Sequence, residues 1–539
     1  MAYEYSDLVE QTKRWAEQAA AAGWIGQESA RQLSEFDART PDTLFEHSGS
    51  RPLIVAFMGG TGVGKSTLLN RLAGQAVART GVERPTSREV TLFHHHSVAI
   101  RNLPDKLPVE RIKIAQHDDE SKKNIIWIDM PDFDSTEQSN KQLVLEWLPH
   151  IDVLVYVVSP ERYRDEKAWR LLLAEGGRHA WLFVLNQWDR GQIAQYQDFR
   201  QQLHKAGFEE PIIYKTVCAD YPQDDEFESL KATIESLATE HVIQQLELRG
   251  LQIRKDDLKQ KLQSHMPSLG SRQAVQHTPQ LWQEQWQRTA DTLQQGFVWP
   301  IQQVANYYAE HAADLITNPA TGKYSSRTDV QLWDEWAGAR FEDGLDEFIL
   351  SVDQQGIPVA PLKKQLAAIR EKAPKIIQAQ SELAVRQALA NPGNVMHRAF
   401  LKFVRLCEII LPLAAIIWVG YRVFMVYYTS EAGNEAYLGV NFAIHSTLLI
   451  AITWLTPFFI LKKMKPSLEK SALRGLNKGL MNGLSMIEYE VADIIENFSQ
   501  QHSEQISRIG GIIEQCETGG KPKELSQEDK GLLTRMLIE

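Results

Sequence analysis

The apolar positions of this chain change pattern repeatedly along its length. Ser6–Phe36 is rich in alanine and glutamine and predicts helix interrupted near Gly23 and Gly26. Beyond Ser50 the apolar residues gather into short runs, Pro52–Met58, Asn124–Asp132, Trp181–Leu185 and Pro211–Lys215. Runs of that kind predict short buried strands. From Glu226 to Gln263, and again from Thr278 to Asn394, spacing of three to four takes over and predicts a helical middle region. It is punctuated at Pro267–Gly270, Asn318–Pro319 and Gly356–Pro358.

Two longer apolar stretches follow, Leu406–Tyr428 and Leu438–Leu461, joined by the polar link Thr429–Tyr437. Each exceeds the roughly 20 residues that carry a helix across a bilayer, so the pair reads as a membrane hairpin. The competing readings are two buried helices of a soluble bundle or a shallow re-entrant insertion, because Glu408 and Arg422 lie near the two ends of the first stretch. Arg398, Lys402 and Arg405 precede the hairpin and Lys462, Lys463 and Lys465 follow it, whereas the link carries only Glu431 and Glu435. The positive-inside rule therefore places both flanks in the cytoplasm. Met1–Tyr5 shows no basic region leading into an apolar core, so no cleavable signal is expected.

After the hairpin, Leu473, Leu476, Leu480, Leu484, Ile487, Val491, Ile494 and Phe498 recur at three and four residues, a seam for another helix of this chain or of a second copy. Gly475, Gly479 and Gly483 add a small face that permits close backbone approach. Glu517–Lys523 reads as a linker before a last short helix.

With 539 residues and 43% apolar content, the chain has room for several domains with cores of ordinary composition. A net charge of −11 argues against bulk nucleic-acid affinity, although the basic clusters beside the hairpin would attract anionic lipid. Cys218, Cys407 and Cys516 are scattered and imply neither a disulfide framework nor a metal-ligand spacing. Trp282 with Trp286, and Trp333 with Trp336, each predict one helical face, as bundle core rather than interface anchors. His94, His95 and His96 fall on a strand, where neighbours point to opposite faces, and no metal site is expected there.

Chemistry enters at the end of the first apolar run. Gly59-Gly60-Thr61-Gly62-Val63-Gly64-Lys65-Ser66 is a phosphate-binding loop between a strand and a helix that opens at Thr67. Such a loop wraps backbone N–H groups around a triphosphate, its lysine reaches the outer phosphates and its serine ligates Mg²⁺. The run Asn124–Asp132 delivers Asp129 to the same edge, placed to hold Mg²⁺ through water. Trp181–Leu185 ends in Asn186-Gln187-Trp188-Asp189, the form of the Asn-Lys-x-Asp guanine signature with Gln replacing Lys. The Asp189 carboxylate would accept from the N1 and exocyclic amino donors of guanine, a pair that adenine lacks.

On these motifs, Ser50–Glu240 resembles the translation-factor-related GTPases, in their Era-like and bacterial dynamin-like branches. The resemblance implies a P-loop GTPase domain with a mixed, mostly parallel sheet, GTP and GDP as ligands and Mg²⁺ as cofactor. It further implies that Thr86 or Ser87, in the switch-like segment Glu83–Arg88, ligates Mg²⁺ when the γ-phosphate is present. Thr216-Val217-Cys218-Ala219 resembles the loop that backs the guanine. The set implied for nucleotide is thus Gly59 to Thr67, Asn186, Gln187, Asp189, Cys218 and Ala219; for metal, Ser66, Thr86 and Asp129; for catalysis, Lys65, Thr86 and Asp129.

Two positions depart from the family pattern. Asp132 stands where the second acidic motif has glycine, which weakens the expected N–H contact to the γ-phosphate. Phe133 stands where signalling GTPases carry a water-orienting glutamine, so slow intrinsic turnover is expected, with help from a partner or a second copy. Arg84, Arg88, Arg162 and Arg164 are each a candidate source of a trans-acting arginine, against the reading of an ordinary surface charge, and the sequence does not choose among them.

The expected order is an N-terminal helical segment (1–49), a GTPase domain (50–240), a helical middle domain (241–400), a hairpin (406–461) and a cytoplasmic helical tail (462–539). Together these resemble bacterial dynamin-like and mitofusin-like chains. That implies a GTPase in the bacterial inner membrane, with both termini and the G domain cytoplasmic, whose GTP-dependent self-association remodels, tethers or fuses bilayers. The rival is a membrane-tethered GTP switch that recruits an effector without deforming lipid.

Overall fold

The computed structural model describes residues 2–45, 51–78, 89–103, 111–132, 138–164, 178–217, 225–312, 332–430, 439–518 and 527–538. It forms two compact units, Met1–Pro267 with Glu504–Glu539, and Ser268–Ser503.

The first unit is built on seven strands: β1 (Leu53–Met58), β2 (Val90–His95), β3 (Ile112–His117), β4 (Ile125–Asp129), β5 (Val153–Val158), β6 (Ala180–Leu185) and β7 (Ile213–Lys215). Their order across the sheet is β3-β2-β4-β1-β5-β6-β7. Every neighbouring pair is parallel except β2 with β4, where Leu92 faces Ile128 in antiparallel register. The unbroken apolar runs have the expected cause. On β1, Leu53, Val55 and Phe57 enter one core while Ile54, Ala56 and Met58 enter the core on the opposite face.

The helices are α1 (Ala2–Ala22), α2 (Gln27–Ser34), α3 (Lys65–Ala73), α4 (Gln138–Trp147), α5 (Ile193–Lys205), α6 (Phe227–Leu237), α7 (Glu240–His265), α8 (Arg272–Glu310), α9 (Glu335–Gln354), α10 (Ala360–Ala390), α11 (Val395–Ser430), α12 (Val440–Lys463), α13 (Leu468–Glu517) and α14 (Gln527–Met536). The break expected near Gly23 and Gly26 separates α1 from α2, and Gly23 takes a positive φ of 87°. Helix α1 folds back onto α7, and Trp15 donates from Nε1 to Gln505 Oε1 at 3.0 Å.

The units divide the chain differently from the expected boundaries. Helix α7 belongs with the sheet rather than with the middle region, and the second unit starts at Ser268 rather than 241. The expected tail 462–539 is shared: α13 runs unbroken from one unit into the other. Its continuation returns to the sheet, where Leu533, Met536 and Leu537 fill the core that covers Leu53, Val55 and Phe57.

In the second unit, Trp282 and Trp286 are buried on α8 and stack with ring centroids 5.3 Å apart, against Phe348 and Phe341. The other tryptophan pair does not share a helical face. Asp334 caps α9 by accepting from Ala337 N at 2.8 Å, which leaves Trp333 ahead of the helix. Trp336, in the first turn, covers Gly296, where a Cβ would fall 2.0 Å from the indole.

The seam on α13 buries Leu476, Leu480, Leu484, Ile487, Val491 and Phe498; Ile495 is buried in the position expected for Ile494. Its glycine face packs within the same unit on α10, and a Cβ on Gly479 would lie 2.5 Å from Ser381 Cα. Gly510, on the same helix, has no neighbour within 4 Å of such a Cβ. Relative to glycine, alanine favours a helix by about 0.8–1.0 kcal/mol, so Gly510→Ala is expected to raise the thermal midpoint. Gly479→Ala is expected to lower it, because backbone must move aside; equal shifts of one sign in calorimetry would remove this account of the interface.

Helices α11 and α12 pack against each other and are long and apolar enough to cross a membrane. Their outer faces are bare: Ile409, Ile417 and Phe424 on α11, and Leu448 and Phe459 on α12, are all exposed. Arg398, Lys402 and Arg405 lie on the first turns of α11, while Lys462 and Lys463 lie in the last turn of α12. The Arg422 guanidinium sits over the Trp418 ring, 5.9 Å from its centroid. Most of the link, 431–438, is outside the described residues.

Candidate functional site

The phosphate-binding loop leaves β1 at the C-terminal edge of the sheet and enters α3 at Lys65. Its shape needs glycine at two kinds of position. A Cβ on Gly59 would lie 2.2 Å from Val157 O, and Gly62 and Gly64 take φ of 79° and 88°. Thr61 is buried, and its carbonyl accepts from Arg162 Nη1 at 2.8 Å. That arginine therefore braces the loop of its own chain. Arg164 pairs with Asp198 at 2.8 Å on the surface.

The second motif clamps the first. Asn186 is fully buried at the end of β6; its Nδ2 donates to Val63 O at 2.9 Å and its Oδ1 accepts from Thr216 Oγ1 at 2.9 Å. Gln187 adopts a left-handed φ of 59° and donates from Nε2 to Gly62 O at 3.0 Å. The amide thus spans to the loop without the positive charge of the usual lysine. Trp188 N donates to Thr216 O at 3.0 Å, which leaves Asp189 at the rim, half-exposed, with Arg190 Nε 3.7 Å from its carboxylate. Beyond Thr216, Val217 N donates to Asp225, which also pairs with Arg71 of α3.

Between these motifs lies a charged cluster shut away from solvent. Ser66 Oγ donates to Asp129 Oδ2 at 2.5 Å, and Lys65 Nζ donates to Asp132 Oδ1 at 2.5 Å and to Gly60 O at 3.3 Å. Lys65, Asp129 and Asp132 are 4%, 2% and 1% exposed, so little water screens their charges. Burial pushes the Asp129 carboxyl up to about 6, against the opposing pull of Lys65 and the Ser66 hydroxyl. Asp129 Oδ1 and Asp132 Oδ2 are buried acceptors with no hydrogen-bond partner. Oxygen donors left unsatisfied beside a phosphate loop suit a hard, hydrated divalent cation, so Ser66 and Asp129 fit the Mg²⁺ expected here.

The structure thus gathers Gly59 to Thr67, Asp129, Asn186, Gln187, Asp189 and Thr216 at one sheet edge. Thr86, Ser87, Arg84, Arg88, Phe133, Cys218 and Ala219 lie outside the described residues. The Lys65–Asp132 contact was not foreseen. The departure from glycine at 132 was visible, but its partner emerges only when β4 is set beside β1. His94 and His95 are buried on β2, the His95 and His117 rings approach to 5.5 Å, and His96 Nδ1 lies 2.9 Å from Asp118. No group of three metal-binding side chains converges among the described residues.

Residues 54–187 match the family described as 50S ribosome-binding GTPase. No curated protein matches the chain. Among solved structures, a bacterial dynamin pair, described as oligomerised and as sensing and tethering membranes, aligns over 95% of this chain and 95% of its own, with 12% identity and a TM-score of 0.41. Era from Aquifex aeolicus, bound to GDP and aluminium fluoride, aligns over 34% of this chain and 56% of its own, with 19% identity and a TM-score of 0.26. A bacterial selenocysteine-specific elongation factor aligns over 35% of this chain and 28% of its own, with 18% identity and a TM-score of 0.25.

Proposed function

We propose that this chain, whose residues 54–187 form a GTPase domain, is a membrane-anchored GTPase that couples GTP-dependent self-association to remodelling, tethering or fusion of a bilayer. The observation that carries the proposal is the presence, in one polypeptide, of a guanine-type nucleotide site and two packed helices with bare apolar faces. A soluble protein rarely exposes contiguous apolar surface beyond a few hundred Å².

Within the site, the loop N–H groups and Lys65 bind the phosphates, and Asn186 and Gln187 hold the loop in register with the base-reading Asp189. Asp189 selects guanine because its carboxylate, desolvated against adenine, would be left without donors. Ser66 and Asp129 hold Mg²⁺, which when bound neutralises charge developing on the phosphates. With Phe133 in place of a water-orienting glutamine, turnover is slow until a second molecule contributes a polar group. With GTP bound, Thr86 joins Ser66 and Asp129 at the metal, the GTP-bound G domain pairs with another G domain, and hydrolysis releases the pair. The basic residues flanking α11 and α12 favour a cytoplasmic position for both large flanks, with the two helices in a bacterial inner membrane.

Purified protein on liposomes, given GTP or a non-hydrolysable analogue, tests the coupling. The expected result is analogue-stabilised oligomers with clustered, tubulated or lipid-mixing vesicles, reversed as GTP is consumed. Tight GTP binding by a monomer that leaves the vesicles unchanged would defeat the coupling and favour the effector-recruiting switch.

A further inference from the structure

Asp132 has no counterpart in the family pattern at a position where glycine presents only its N–H to the γ-phosphate. Its side chain changes the electrostatics of the phosphate pocket. The Lys65 ammonium donates to Gly60 O at 3.3 Å and to Asp132 Oδ1 at 2.5 Å, so one anionic oxygen already sits on the group that the outer phosphates require. Both side chains are buried, and Asp129 places a second carboxylate in the same enclosure. A γ-phosphate entering here meets a fixed negative charge at short range in a medium that screens it poorly. A diphosphate stops short of that position and shares the lysine with less repulsion.

We propose that Asp132 is a specificity-determining residue that penalises the γ-phosphate, holding Lys65 in its place and narrowing the preference of the site for GTP over GDP. This rests on the reading of the site as a guanine nucleotide site. GTP binding must exchange the carboxylate on Lys65 for a phosphate oxygen and move Asp132 aside, a displacement that a diphosphate does not require in full. The discrimination acts on the nucleotide state: at comparable concentrations of the two nucleotides it shifts the population toward the GDP form, and any contact that draws Asp132 away from Lys65 favours GTP.

The test compares the full-length protein in detergent with Asp132→Asn, which keeps the shape and removes the charge, and with Asp132→Gly, which restores the family residue. Affinities for GDP and for a non-hydrolysable GTP analogue are measured with Mg²⁺ by calorimetry, alongside the thermal midpoint with and without each nucleotide. Both variants are expected to bind the analogue about tenfold tighter or more, about 1.4 kcal/mol, with GDP affinity changed less than about threefold. They are also expected to melt lower without nucleotide and to gain a larger upward shift from the analogue than the parent does. An unchanged ratio of analogue to GDP affinity in variants that still bind both would overturn the role of Asp132 and leave the GTP site standing. If neither parent nor variants bound guanine nucleotide at millimolar concentration, the GTP reading itself would fall and this inference with it.

Discussion

Lys65→Ala is expected to abolish detectable triphosphate binding while the protein remains in the membrane. On the proposed reading the lysine would supply a buried cation to the phosphates, and a charge-assisted contact to a phosphate in such an enclosure, once removed, costs several kcal/mol. The variant also removes the only partner recorded for the Asp132 carboxylate among the described residues, leaving two acidic groups buried together. Stripping one member from a buried pair destabilises by about 3–5 kcal/mol, so loss of binding could reflect loss of fold. The double variant Lys65→Ala/Asp132→Asn separates the two. It deletes the orphaned charge, so its thermal midpoint should recover most of the deficit while binding stays absent. Recovery of binding in the double variant would show that Lys65 serves the fold rather than the phosphates.

The parts of this site legible from residue order were those whose chemistry is local. Gly59 to Ser66 is a continuous loop, and the runs that deliver it, Asp129 and Asn186 are fully buried strands with no polar interruption. What escaped was mainly non-local, although the unbroken apolar run of β5, Val153–Val158, also went unread. The pairing of Lys65 with Asp132 depends on β4 lying beside β1, and no local pattern around residue 132 announces a lysine. Strand β3 escaped because it is an edge strand: Ile114 is 49% exposed, and the polar residues of Ile112–His117 give no buried face to read.

The helical regions fail and succeed for related reasons. Trp333 and Trp336 have helical spacing, but Asp334 is a better cap than a helix interior residue and starts α9 between them. Helix α14, expected only as a last short helix, offers Leu532, Leu533 and Met536 with the following Leu537, too few positions for a period, yet Leu533, Met536 and Leu537 complete the core over β1. Glycines 475, 479 and 483 were legible as a close-packing face, but not whether the partner was α10 or a second chain; the Cβ contacts to Ile377, Ser381 and Val385 identify α10.

Deleting residues 406–461 is expected to convert the protein from one that resists alkaline carbonate extraction to one recovered in the supernatant, with GTP binding retained. The apolar surface argues for a shift of this size. Taking a leucine, isoleucine or phenylalanine from full exposure to full burial stabilises by about 1.5–3 kcal/mol, and α11 and α12 carry many that are more than half exposed and gain a share of it, including Ile409, Ile410, Leu413, Ile417, Leu448, Ile452 and Phe459. The backbone does not oppose insertion, since both segments are continuous helices whose hydrogen bonds close internally. Arg422 does not oppose it strongly either: it lies two turns from the helix end and against Trp418, a geometry suited to an interface. Because the deleted segment lies wholly in the second unit, the sheet and its phosphate loop keep their own cores. Clean extraction of the intact protein at high pH would place the two helices against protein rather than lipid, and would remove the anchor on which coupling GTP to a bilayer depends.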